Sequence, residues 1–488
     1  MIAGIDLGTQ GIKVLLLDGR FRARGKSFEP YPTRYPRPGW AEQDPRAWEQ
    51  AMDTAMREAL LQAGAAPEEV QGLGITGQLD GCIAVDENGL PIAPCLIWMD
   101  RRASLRLSPA MLRRVQSVGG VNPDPGHMAA KIRWLMENVP DVSRAACFHQ
   151  PVSYMVRRLT GKDVYDHGLA STTMLYDLHS RGYDDELLHA FGASRAQLPR
   201  IAPAHSMAGG LPRAGAALSG LAEGTPVAVG CGDDFASPLG AGLLDPGGVA
   251  CVSGTAEVVG ALSLTPIIDP EGLVETHEYP GGSWFIENPG WLSGGSLCWF
   301  TEVFRMAGFE ETSRRAAEAP PGAAGVIFLP ALSGSMSPAW VPSARGCFYG
   351  MTSAHTAADM ARAVLEGCAF AMRDVIERLD ALSVPARQVL LMGGGAKSRL
   401  WASIRADVCG LTVRRIQDVD TAPVGAAMLA SVAAGLQPDL RSCTETVSCD
   451  GEDVAPDPTA AAACEKSHRS YRRLFDSLRP MFDQEEDS

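Results

Sequence analysis

Asp233 and Asp234 stand side by side in GCGDDFAS (residues 230–237), directly after the apolar run TPVAVG. A carboxylate at the carboxyl end of a strand in an open α/β sheet lies at the crevice where ligands bind. From there it could take the proton of a hydroxyl as that oxygen attacks a phosphoryl group. The same pair would serve equally well as a helix N-cap.

A second kind of chemistry is written in glycine. The segment GIDLGTQGIK (residues 4–13) places Gly8, Thr9 and Gly11 in a tight turn, whose backbone N–H groups could cradle a phosphate. Asp6, two residues before the turn, sits where a carboxylate could hold a hydrated magnesium ion beside that phosphate. A plain β-hairpin with a capping Asp accounts for these residues equally well. The plan recurs in VACVSGTAEVVGALSL (residues 249–264), with Ser253, Gly254 and Thr255 at the turn, and Thr9 and Thr255 lie 246 positions apart, half the chain. Two amide-rich turns and a metal ion would give an acidic protein local positive potential without a lysine cluster. A third glycine cluster, GGGAKSRLWASIRADVCG (residues 393–410), reads as strand, triple glycine and helix. One glycine would satisfy such a turn; three favour a side-chain-free surface for an adenine or ribose.

Two nucleotide patterns fail on inspection. GRFRARGKS (residues 19–27) has five residues between its glycines where a P-loop has four, and GLGITG (residues 72–77) runs into QLDGCIAVDENG and not into a long helix.

These motifs need a scaffold of alternating strands and helices. Residues 2–18 read as a hairpin, residues 45–63, 130–137 and 185–191 as helices, and VQGLGITG as a short strand. Beyond the second hairpin come the strand GVIFLP, a long amphipathic helix from 357 to about 382, the strand QVLLMGGG and a helix opening near Ser398. The class is α/β. LLDPGG (residues 243–248) carries a Pro and two Gly between the halves, which sets a division into 1–244 and 245–488. The basic stretch KSHRSYRRLF (residues 466–475) reads as a final helix with Tyr471 and Leu474 inward, and the tail EEDS as frayed.

Composition narrows the partners. The 488 residues are 46% apolar, and 43 Lys+Arg against 57 Asp+Glu leave a net charge of −14. Disorder is disfavoured, and a nucleic-acid role lacks the basic surface it needs. The twelve cysteines form no C-x-x-C pair, no signal peptide opens the chain, and no run of about 18 apolar residues occurs. A cytoplasmic protein with small-molecule partners and no membrane association is the expectation.

The chain resembles the FGGY carbohydrate kinases, within the wider group of sugar kinases, heat-shock ATPases and actin, from residue 2 to about 436. GCFYGMTSAHTAADMARAVLE (residues 346–366) is similar to the family's C-terminal signature, and GHMAAKIRWLMEN (residues 126–138) to its N-terminal one, with Met128 where Pro, Ser or Thr is usual. GWAEQDPRAW (residues 39–48) and the first hairpin look most like the xylulokinase branch. The resemblance implies two actin-like (ribonuclease H-like) domains flanking a central cleft, the first binding sugar and supplying the base, the second binding ATP. It implies ATP and Mg2+ as cofactors, Asp233 as proton acceptor and Asp6 beside magnesium, through water, and the phosphates. Gly8 and Thr9 of the first turn join Gly254 and Thr255 at the phosphates; Gly294, Gly295, Gly394 and Gly395 would line the nucleotide site. Gln78, Leu79, Asp80 and Asp234 would face the sugar.

Here the sequence departs from the pattern. It reads GQLDG (residues 77–81) where GQMHG is usual, and Asp234 replaces a usual Asn. Exchanging His for Asp80 swaps a potential donor for an acceptor-only carboxylate. LSGSMSP (residues 332–338) and PVSY (residues 151–154) also differ from the family's habit. The expected reaction is phosphorylation of the terminal hydroxyl of D-xylulose, as in xylose metabolism. Ribulose, a tetrulose, a polyol or glycerol are the rival substrates; a nucleotide-operated sugar sensor and an actin-like filament are the rival classes. A homodimer stays open.

Overall fold

The computed structural model describes residues 1–417, 419–447 and 451–485. The last three residues of the EEDS tail lie outside this range. The chain forms two compact units: residues 1–244, 276–284 and 420–448, and residues 245–275, 285–419 and 449–488. The first half of the chain thus ends a unit at Leu244, but two later segments fold back into that unit.

In the first unit the strands Ile2–Leu7 and Gly11–Leu17 form the expected hairpin, with Asp6 paired opposite Lys13. Ala23–Pro30 continues the sheet antiparallel on one side, and Leu73–Gly77 lies parallel on the other. The short strand Cys231–Gly232 also runs parallel to Leu73–Gly77. Three parallel strands therefore end level: Leu7 is in register with Gly77, and Gly77 with Gly232. The second unit repeats the plan. Gly247–Ser253 and Ala256–Ser263 form an antiparallel hairpin, and Ala386–Met392 runs parallel to its first strand, followed by Thr412–Ile416. The half-chain repeat in sequence is a repeat of topology.

Local chemistry explains the helices. Pro45–Ala63 starts at Asp44, whose side chain accepts from the Arg46 N–H, has Pro45 in its first turn, and ends at Gly64 in the left-handed region. Trp48, Met52, Met56 and Leu60 recur every four residues and are all buried. The final helix, Pro458–Glu485, buries Tyr471 and Leu474 as the apolar spacing requires. Residues 202–226 are more ordered than their Pro/Gly content suggests, holding the strand Met207–Gly210 and the helix Arg213–Ser219. No described helix is long and apolar enough to cross a membrane.

The helix Thr421–Ala433 shows why a late segment joins the first unit. Its residues TAPVGAAMLASVA are small and apolar, and all from Thr421 to Ser431 are buried. It meets the sheet where the strands carry Gly4 and Gly74. A Cβ at Gly4 would stand 1.9 Å from the Pro423 carbonyl oxygen, and one at Gly74 1.9 Å from that of Ala426. On the helix's other side, a Cβ at Gly425 would stand 2.0 Å from the Ala236 carbonyl, in the helix that begins at Asp233. Backbone lies on backbone with no room for a methyl group, so Gly74→Ala should reduce unfolding free energy by about 2–3 kcal/mol in urea denaturation. An unchanged midpoint and slope would contradict this packing.

Candidate active site

Because Ile2–Leu7, Leu73–Gly77 and Cys231–Gly232 stop at one level, the residues that follow them emerge together. Gly8 and Thr9 leave the first strand, Gln78 to Asp80 the second, and Asp233 and Asp234 the third. The strands are parallel, so this is the carboxyl edge, where an open sheet binds ligands. Asp233 and Asp234 are the first two residues of the helix Asp233–Gly240; its N-cap is Gly232, with no side-chain cap. Neither carboxylate occupies the N-cap position, although backbone N–H groups of Asp233 and Asp234 donate to the Asp233 carboxylate.

The carboxylates crowd one another. Burial, then the charge of Asp234, pushes the Asp233 carboxyl up to about 8. Burial and then Asp233 raise Asp6 to about 7, against the opposing pull of Lys13; burial and then Asp80 raise Asp234 to about 7. Asp6 Oδ1 and Asp80 Oδ1 are buried without a hydrogen-bond partner. Uncompensated acceptors of this kind suit a cation, or a ligand that donates hydrogen bonds.

The turn at Gly8 and Thr9 is pinned from three sides. Gly8 N–H donates to the Gly11 carbonyl at 3.1 Å, and the Tyr31 hydroxyl donates to the Gly8 carbonyl. Trp98 Nε1 donates to Thr9 Oγ1 at 2.9 Å, and Gln43 Nε2 to the Thr9 carbonyl at 2.7 Å. Gln43 Oε1 in turn accepts from Gln78 Nε2 at 2.8 Å. One glutamine thereby ties the hairpin tip to the loop Gln78–Leu79–Asp80. Leu79 packs under the turn that leads into Asp233: a Cβ at Gly232 would strike its Cδ2 at 2.2 Å.

Asp80 is held in a backbone conformation that few non-glycine residues adopt, with φ of 57°. Its N–H donates to Gln150 Oε1 and its carbonyl accepts from Lys131 Nζ, both at 2.8 Å. His127 Nδ1 lies 3.1 Å from Asp80 Oδ2. Lys131 is fully buried, and it also donates to the Gly126 carbonyl. The segment 126–138, recognised in sequence only by likeness, is the clamp on Asp80.

Lys13, Gln43, His127, Lys131 and Gln150 escaped the sequence reading. A signal existed for Lys13, since hairpin pairing sets it directly across from Asp6 on the same face. Its Nζ is 2.7 Å from Asp420 Oδ1, and Lys26 Nζ is 2.6 Å from Asp420 Oδ2.

In the second unit Gly254 and Thr255 are exposed at the tip of the second hairpin. Gly294 and Gly295 open the helix Gly294–Val303, and the N–H of Gly295 donates to the Thr255 carbonyl at 3.0 Å. A Cβ at Gly294 would stand 2.2 Å from the Gly254 carbonyl oxygen. The triple glycine divides its labour. Gly393 takes the positive φ of 79°, Gly394 is exposed, and Gly395 is buried because a Cβ there would meet Ser253 Oγ at 2.3 Å. The next helix opens at Ser398, as expected, and the Ser398 side chain caps it by accepting from the Trp401 N–H.

The carboxylate crowding has a sign that can be measured. A carboxyl whose folded pKa lies above its unfolded value contributes stability that is complete below about pH 4 and lost as pH rises through 7 to 8. Ligand-free Asp234→Asn should therefore melt about 2–5 °C above the wild type near pH 8.5, and show a smaller difference near pH 5. A variant no more stable than wild type at the higher pH would contradict the crowding.

Comparison with known proteins places this geometry. Residues 1–240 match the N-terminal domain of the FGGY family of carbohydrate kinases, and residues 249–434 its C-terminal domain. The chain is 32% identical to the xylulose kinase of Escherichia coli (strain K12) over 99% of this chain and 100% of that one. It is 29% identical to glycerol kinase 2 of Saccharolobus solfataricus, covering 93% of each. The crystal structure of a xyloylose kinase from Brucella ovis matches with a TM-score of 0.88 at 28% identity, over 98% of this chain and 99% of that one. With the two-domain actin-like ATPase fold of those kinases and their sequence signatures in both halves, the chain belongs to the FGGY family of carbohydrate kinases and is xylulokinase-like within it.

Proposed function

We propose that the protein transfers the γ-phosphoryl group of ATP to the terminal hydroxyl of a ketopentose, D-xylulose first among them, giving D-xylulose 5-phosphate and ADP. The observation that carries this reading is Asp233: a carboxylate at the level end of three parallel strands, with an elevated pKa and within reach of the charge of Asp6. Asp233 takes the hydroxyl proton as the sugar oxygen bonds to the γ-phosphorus; the bond to the bridging oxygen breaks and ADP leaves. An elevated pKa makes this carboxylate a stronger proton acceptor than an ordinary aspartate.

Asp6 suits a magnesium ion, held through water, because its Oδ1 is buried without a partner and its other neighbours in charge are mostly carboxylates. Bound magnesium supplies positive charge beside the phosphates. Lys13, opposite Asp6, adds a second cation. Gly8 and Gly254 use their own N–H groups to close the two hairpins, so the phosphate donors each turn offers are the N–H groups of Thr9 and Thr255, with Gly294, Gly295 and Gly394 a surface for the nucleotide. Gln78, Asp80 and Asp234 face the sugar, with Leu79 as packing.

A second reading is favoured by Asp80 and Asp234. Two carboxylates, one with a buried unpartnered oxygen, match hydroxyl donors better than a carbonyl, which points to a polyol acceptor such as glycerol. ADP release measured across ketopentoses, tetruloses and polyols decides between them. The highest kcat/KM should fall on D-xylulose, and Asp233→Ala should lower kcat at least about 100-fold with the thermal melt retained. A polyol optimum would move the assignment to the second reading, and an Asp233→Ala variant with normal turnover would contradict the assigned base.

A further inference from the structure

Glu257 and Arg405, in the second unit, are both fully buried and paired through Glu257 Oε2 and Arg405 Nη2. The pair sits just below the tip of the second hairpin, where Glu257 and Ser253 form the last register pair before the turn. Trp401 lies across the guanidinium, 4.1 Å from ring centroid to Cζ. Glu257 Oε1 and Arg405 Nε and Nη1 have no hydrogen-bond partner. An ion pair this deep, with three polar atoms unsatisfied, is a poor device for stability, since desolvation offsets most of the attraction. What it does possess is connection.

Ser253 Oγ donates to Glu257 Oε2 and accepts from Arg405 Nη2, both at 3.0 Å. Ser293 Oγ donates to the same Glu257 oxygen at 2.7 Å. Ser253 is the last residue before Gly254 and Thr255, and Ser293 the last before Gly294 and Gly295. The third turn rests on the same serine: a Cβ at Gly393 would stand 2.7 Å from the Ser253 carbonyl oxygen, and one at Gly395 2.3 Å from its hydroxyl. Three glycine turns, distant in sequence, thus share one charged anchor, linked to them through Ser253 and Ser293.

We propose that Glu257 and Arg405 are positioning residues for the nucleotide: through Ser253 and Ser293 they set the spacing of the three turns before any phosphate arrives. This rests on the reading that those turns bind the nucleotide. Preset donors lose less freedom on binding than donors that must be gathered, so loosening the anchor weakens nucleotide binding while leaving the sugar's contacts alone.

ADP binding to the full-length chain, measured by calorimetry without sugar, tests this. In Glu257→Gln the Kd for ADP should rise about tenfold or more, with the KM for sugar within about twofold of wild type. Glu257→Gln also disturbs a buried charge, so the double variant Ser253→Ala/Ser293→Ala is the control: it leaves the ion pair in place and cuts its links to the turns. That variant should stay folded, melting a few degrees lower for the lost hydrogen bonds, and still lose about three- to tenfold in ADP affinity. If Glu257→Gln does not fold, the serine variant decides. Wild-type ADP affinity in the serine variant overturns the positioning role. A wild-type chain that binds no ADP overturns the nucleotide reading, and the proposal with it.

Discussion

Electrostatic repulsion at the carboxyl edge of the first sheet is the constraint on which the remainder depends. Leu7, Gly77 and Gly232 end their strands in register, which brings Asp6, one residue before its strand's end, and Asp80, Asp233 and Asp234, beyond theirs, within reach of one another's charge. Lys13 opposes this from across the hairpin, but Asp420 already engages it. A folded chain that tolerates such crowding gives up stability at neutral pH, and functional sites are where such costs concentrate. The ligands that relieve it are a cation and a molecule rich in hydroxyl donors, which are the components of a sugar-phosphorylating reaction.

The two units solve opposite problems with one topology. In the first, a hairpin and its parallel neighbours crowd carboxylates together, two of them with a buried oxygen left unsatisfied. In the second, the equivalent hairpin buries its carboxylate, Glu257, against Arg405 and shows only backbone and Thr255 at the tip. A bare carboxylate among the glycine turns would repel a polyphosphate; one neutralised beneath them does not.

Much of this was legible in sequence because it is local. The helix Pro45–Ala63 was read to the residue, since Asp44, Pro45 and Gly64 mark its ends and its apolar spacing is regular. Both hairpins, the strand before the triple glycine and the helix opening near Ser398 followed from similar signals. The helix Thr421–Ala433 was not assignable to the first unit, because the reason is a steric match between Gly4, Gly74 and backbone some 350 to 420 residues away in sequence. The clamp on Asp80 was hidden likewise: Lys131 and Gln150 act on it from a distance, and no single-residue preference announces a lysine that serves two carbonyls. The triple glycine was read as a ligand surface throughout, whereas Gly395 is explained by the Ser253 hydroxyl.

The sharpest test of the carboxylate account is the pH dependence of kcat/KM for the sugar, in wild type and in Asp234→Asn. If Asp233 accepts the proton under the influence of Asp234, the wild-type acid limb lies well above the ordinary aspartate range, and removing the neighbouring charge moves it lower. Superposable profiles, or an acid limb near pH 4 in both, would contradict it.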